Sequence, residues 1–364
     1  MTLRRALLMI ICVLAAPAAK AQIASDQPAA LVVYPLIFVD DQTPTDTLIQ
    51  LSNTSKDPVS ARCFYVNANG HCSNSGDACS SGAECRGGLC LPGWNETDFR
   101  VQLTARQPIA WVASDGLVVC QPDQMSDDDC APLDGRTRRG PGGQSNVGTR
   151  IPPVSEIPFV GELRCVVVDD QDRPSDRNVL VGSATTVQPG RNLLDVTRDN
   201  AVGIPAVTGA NNGDNTLRLG EEYAACPNTL IVNHLFDGAM IEGNPVQSVI
   251  VLTPCAADYN LQVPASIIAQ MLVFNEFEQR FSTSTTVQCF AMRALSRLDT
   301  TQPERSIFNV GIAGTMSGQT RIHGIAAGGH GLLGTLYEAY PEASAAVNVH
   351  YQGISDRVDV IQLP

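Results

Sequence analysis

Short runs of β-branched and aromatic residues, each cut off after a handful of positions by Pro, Gly, Asn or Asp, recur along this 364-residue chain. ALVVYPLIFVD, DTLIQLSN, VSARCFYVN, DFRVQLT and ELRCVVVD are the clearest of them. Apolar-polar alternation bounded by turn residues at close spacing specifies strands, and many such strands in succession specify a layered all-β fold. The run from Pro264 to Glu276 is the best helix candidate, but its Val, Ile and Phe content assigns it to a strand. With 44% hydrophobic and 17% charged residues the chain has the composition of a folded protein rather than a disordered one. Its length favours two domains over one.

The first residues read as an export signal, over 1–21: Arg4 and Arg5, an apolar stretch from Leu7 to Ala19, then the small-x-small site Ala19-Lys20-Ala21. No later apolar run is long enough for a membrane helix, so the expected destination is periplasm, cell surface or medium, with no membrane span. Discarding Cys12 with the signal leaves an odd set of eleven cysteines spaced like bridges. Cys72, Cys79, Cys85 and Cys90 crowd into a glycine-rich run too small for a core of its own, which reads as a stapled surface loop or a recognition knob. Pairing within that cluster is left open by its spacing.

An internal repeat organises the rest. LVVYPLIFVD, DTLIQLSN, ARCFYVN and ETDF return after residue 226 as TLIVNHLFDG, QSVIVLTP, AQMLVFN and EQRF. Ala61, Phe64, Val66 and Asn67 thereby correspond to Ala269, Leu272, Phe274 and Asn275, with the alternation of faces kept. The expected fold is therefore two immunoglobulin-like β-sandwiches in tandem. The first covers residues 24–202, with insertions at about 72–94 and 120–153; residues 203–222 form a linker, and 223–364 form the second domain. The strand counterparts of Cys63 and Cys165 lack cysteine together, which makes those two a pair. Cys226 and Cys255 flank two apolar runs that would pair antiparallel. Cys120 and Cys130 close the base of an acidic loop, and the thiol left over is Cys289, on an apolar alternation.

Chemistry is harder to find. His71, His234, His323, His330 and His350 are the only imidazoles, none in a metalloprotease or nucleophile motif. Glu276 and Glu278 would share a strand face, a candidate carboxylate pair of the glycosidase kind, although a solvated face gives the same pattern. Asp169, Asp170, Asp172 and Asp176, the run Asp127 to Asp129, and Asp214 are candidates for calcium, the one ion such loops could hold, but they also suit plain turns. No cofactor is expected. Thirty-seven acids against 24 bases give a formal charge of −13, which opposes nucleic acid and anionic membranes. Trp94, following the stapled loop, is the candidate binding residue.

Taken together, LIQLSNT, ARCFYVN, NHLFDG and VFNEFEQRFSTS resemble phrases that recur in a group of exported, β-rich bacterial proteins. That resemblance spans most of residues 30–364 and implies export and a β-rich build, but no activity. The functional expectation is an envelope-associated or secreted, non-catalytic binding or structural protein whose partner is another protein or a surface glycan. The alternative is a secreted hydrolase with carbohydrate as its candidate substrate.

Overall fold

The computed structural model describes residues 23–79, 82–91, 93–117, 150–189, 194–326, 331–341, 343–347 and 349–364. The stretch 1–21 read as an export signal, Cys120, Cys130, the acidic run Asp127 to Asp129 and His330 lie outside them.

Strands dominate. The first stretch supplies β1 (Leu31–Val39), β2 (Asp46–Asn53), β3 (Val59–Asn67), β4 (Gly70–Cys72), β5 (Ala78–Cys79), β6 (Cys90–Leu91), β7 (Asn95–Leu103) and β8 (Pro108–Val112). Next come β9 (Phe159–Val168), β10 (Leu180–Pro189), β11 (Leu194–Asn200), β12 (Val202–Ile204) and β13 (Thr216–Leu219). Then follow β14 (Thr229–Leu235), β15 (Met240–Ile241), β16 (Asn244–Pro245), β17 (Gln247–Pro254), β18 (Ala257–Asp258), β19 (Ser266–Asn275) and β20 (Arg280–Gln288). The last are β21 (Ala291–Ala294), β22 (Ser317–Ile325), β23 (Leu332–Ala339), β24 (Ser344–Val347), β25 (His350–Gln352) and β26 (Asp359–Gln362). One four-residue helix, α1 (Val310–Ala313), is capped by the Asn309 side chain and ends at the left-handed Gly314.

Five main sheets result. Their strand orders are β12-β1-β9-β3-β7, β11-β10-β2-β8, β13-β26-β18, β20-β19-β22-β14-β25 and β21-β17-β23-β24. This overturns the expected fold class: the sheets are arranged as a five-blade β-propeller, not as two tandem immunoglobulin-like sandwiches. The blades are unequal, and none is a meander of consecutive strands. The strand order β7-β3-β9-β1-β12 of the first sheet recurs in the fourth as β20-β19-β22-β14-β25, and that of the second recurs in the fifth. Within the first sheet β1 and β3 both flank β9, and the Cys63–Cys165 bridge joins neighbours in that one sheet. An immunoglobulin domain would place such a bridge between its sheets.

The core shows why separate sandwiches fail as a description. One apolar cluster fills the space between the first and second sheets, including Tyr34, Cys63, Leu163 and Trp111. Another, including Leu230, Met271, Ile322 and Leu252, lies between the fourth and fifth. The third belongs to both halves of the chain: Leu31, Val33, Phe64 and Val166 on the other face of the first sheet meet Leu217, Tyr259, Ile361 and Leu363 of the third. β13, inside the stretch read as a linker, pairs with β26 at the far end of the sequence. Strand β1 is accordingly buried on both faces over almost its whole length, and a near-continuous apolar run is the signature of a strand covered twice.

The fourth sheet differs from the first at this level. Phe64 lies buried under Tyr259, with ring centroids 4.2 Å apart, whereas Leu272 and Phe274 on the corresponding face of β19 are only half-buried. Ile268 and Ile325 on that face are 46% and 41% exposed. Among the described residues no further sheet covers it.

Candidate functional site

At one end of this open face the ends of β14, β19 and β22 surround a hollow of about 560 Å3. Pairing sets Asn233, Gln319 and Phe274 in a row across three strands, and Leu235 opposite Ser317. Gln319 donates to Asn233 Oδ1 at 3.3 Å, and the Arg321 guanidinium stands over the Phe274 ring, 6.0 Å from its centroid. Gly318 is required between them: a Cβ there would come 2.6 Å from the Phe236 ring.

Three ionisable groups line the hollow, and each is tied to the scaffold. Glu276 accepts the Ser317 backbone N–H at 3.0 Å, and Glu338 accepts that of Leu235 at 3.1 Å and the Tyr340 hydroxyl at 3.2 Å. His234 is buried, bonded through Nε2 to the Thr320 hydroxyl at 2.8 Å and packed edge-on against Phe236. Burial pushes its pKa down to about 4, so the imidazole is neutral at physiological pH. Asn275, also buried, fixes the rim: Oδ1 accepts from Phe277 and Gln279, while Nδ2 reaches the Ala313 carbonyl at 2.8 Å. The surface so made is rigid, amide-lined and flanked by one aromatic ring.

A larger cleft, about 950 Å3, lies where the β12–β13 segment meets residues 351–358. Its walls are mainly aliphatic side chains, glycine and backbone, with the Tyr223 hydroxyl already spent on the Ser175 carbonyl. Glu221, Asp356 and Arg357 add charge to its lining.

No family model, curated protein or solved structure matches the chain. Its site must be read from its own residues.

The residues singled out in the sequence fall in different places. Glu276 lines the hollow; Glu278 occupies the following turn with φ of 62° and does not. Trp94 is half-buried against the shared core, stacked on Tyr259 with centroids 5.8 Å apart, so its indole is packed inward rather than presented. His323 bonds the Thr229 hydroxyl, His71 meets Glu156 at 3.0 Å, and His350 is exposed. Asp169 receives the Gln171 and Arg173 backbone N–H groups and the Arg173 guanidinium, Asp172 pairs with Arg100, and Asp214 pairs with Arg218. These loops are thus closed by arginine and by Asx turns. The close trio Cys72, Cys79 and Cys85 is held by the bridges Cys72–Cys85 and Cys79–Cys90. Cys226 is bonded to Cys255, but the runs they flank, β14 and β17, enter different sheets instead of pairing. Cys289 is free and buried, and burial raises its thiol pKa far above the usual range.

One polar centre escaped the sequence altogether. Glu162 and Arg164, two apart on β9, form a fully buried pair at 2.8 Å on the face that meets the third sheet. Arg164 also donates to the Cys255 and Pro254 carbonyls, at 2.7 and 2.6 Å, and Thr253 donates to Glu162. Beside it Trp94 Nε1, Glu96 Oε2 and the Tyr259 hydroxyl are buried without partners. Burial, reinforced by neighbouring Asp98, pushes the Glu96 pKa up to about 7. The hint in the sequence was ELR: two opposite charges on one face of an otherwise apolar strand.

Proposed function

We propose that this chain is an exported, non-catalytic binding protein, and that the hollow beside Phe274 receives a hydroxyl-rich ligand, one sugar unit of a neutral surface glycan. The observation that carries the reading is the composition of the open sheet face: planar amides of Asn233 and Gln319 beside an aromatic ring, in a hollow whose carboxylates are held by backbone N–H groups. Amides match sugar hydroxyls as paired donors and acceptors, and an aromatic face takes the apolar side of the ring. The acidic net charge argues for a neutral glycan over an anionic one. The bridges and the lack of a long apolar helix among the described residues are compatible with export.

Titration calorimetry of the mature protein against neutral hexose and N-acetylhexosamine oligomers tests this. Binding weakened about tenfold by Asn233→Ala or Gln319→Ala is expected, the equivalent of one hydrogen bond lost at about 1.4 kcal/mol. No binding across that panel overturns it. A secreted carbohydrate hydrolase is the second reading, supported by Glu276 and Glu338 lining one hollow. Release of new reducing ends, abolished by Glu276→Gln or Glu338→Gln, would replace the first reading with this one.

A further inference from the structure

The fourth sheet ends in an unguarded edge. β20 runs nine residues, Arg280 to Gln288, paired with β19 in unbroken register from Phe274↔Arg280 to Ser266↔Gln288. Among the described residues no strand pairs with its other side. Which positions face outward follows from the ends of the ladder. Asn275 donates to the Gln279 carbonyl and Cys289 to that of Ala265, so bonding to β19 falls on the odd-numbered residues of this strand. The N–H and C=O groups of Arg280, Ser282, Ser284 and Thr286 therefore point away from the sheet, while the Gln288 carbonyl already accepts the Phe290 N–H at 2.7 Å.

Exposed edges are ordinarily protected by charge, proline or a bulge. The other nine-residue edge, β7, carries Glu96, Asp98 and Arg100. β20 has none of these devices, only Arg280 at its start. Its sequence RFSTSTTVQ is also close to self-complementary. Turned about a two-fold axis through Ser284, Ser282 falls opposite Thr286, Thr283 opposite Thr285, and Arg280 opposite Gln288. All outward-facing positions then meet outward-facing positions, no like charges oppose, and Ser and Thr pairs are favourable across antiparallel strands. An edge without acids is also where two copies of an acidic chain repel least.

We propose that β20 pairs antiparallel with β20 of a second copy of this chain about Ser284, joining two fourth sheets into one ten-stranded sheet in a closed two-fold dimer. The proposal is independent of the glycan reading, since it concerns the edge and not the hollow.

Sedimentation of the mature protein across a concentration series should give twice the chain mass, falling to one at dilution. Ser284→Pro removes an outward N–H and no bond to β19, and should give a monomer at all concentrations. In case that variant misfolds, Ser284→Cys keeps the strand intact and should cross-link to a covalent dimer under mild oxidation, while Lys56→Cys, exposed elsewhere, should not. A wild-type monomer at the highest concentration overturns the proposal. So does a dimer that Ser284→Pro leaves intact, or one in which Ser284→Cys fails to cross-link.

Discussion

Single residues at the shared core set the terms of stability. Arg164 and Glu162 are both out of water, so losing one partner strands a buried charge. Arg164→Met should cost about 3–5 kcal/mol in chemical denaturation, and Glu162→Leu together with Arg164→Met should recover most of it. Two separate burial sites oppose each other in pH. The His234 pKa, lowered from 6.5 to about 4, means that the unfolded chain takes up that proton first as pH falls. The stabilisation it represents, about 3 kcal/mol, is present above pH 6.5 and lost down to about pH 4. Glu96, raised from 4.5 to about 7, acts in the other direction: the unfolded chain ionises first, so stability falls as pH rises from 4.5 to 7. Glu96→Gln should therefore raise the melting temperature at pH 8 relative to wild type and leave the relation unchanged below pH 4.5. His234→Gln should flatten the acid limb alone. Thermal melts at a series of pH values check both.

At the scale of elements, the local signal was sound, and the repeat matched corresponding strands of the two halves but not how the sheets assemble. β1, β2, β3, β7, β9, β14, β17 and β19 all fall on apolar or alternating runs visible in the chain, because side-chain direction in a strand is a property of two neighbouring residues. Which strands share a sheet depends on partners that can lie more than a hundred positions away, and β13 and β26, four residues each, leave too short a pattern to announce a third layer. The Glu276 side of the hollow was legible for the same local reason; Asn233, Gln319 and Glu338 were not, since only pairing of separate strands brings them together. The Cys63–Cys165 bridge, closing a separation of 102 residues between two central strands, is the strongest covalent element here. Replacing both cysteines by alanine should lower unfolding free energy by about 4–5 kcal/mol in the chain-entropy model. Denaturant melts of the double variant against wild type measure it.

For the whole molecule, the shared cluster makes the halves of the chain interdependent, and one unfolding transition in calorimetry is expected rather than two. Residues 24–222 expressed alone would leave Leu31, Val33, Phe64 and Val166 facing water, and should bind a hydrophobic dye that the full chain does not. The pairing of β13 with β26 carries this into biosynthesis. Synthesis runs from the N-terminus, so the strands of the first sheet are all made before the strand that seals its outer face. That face is completed only when Ile361 and Leu363 arrive. A chain cut shortly before residue 359 should therefore expose an apolar sheet face that the full chain covers, and limited proteolysis should digest it faster.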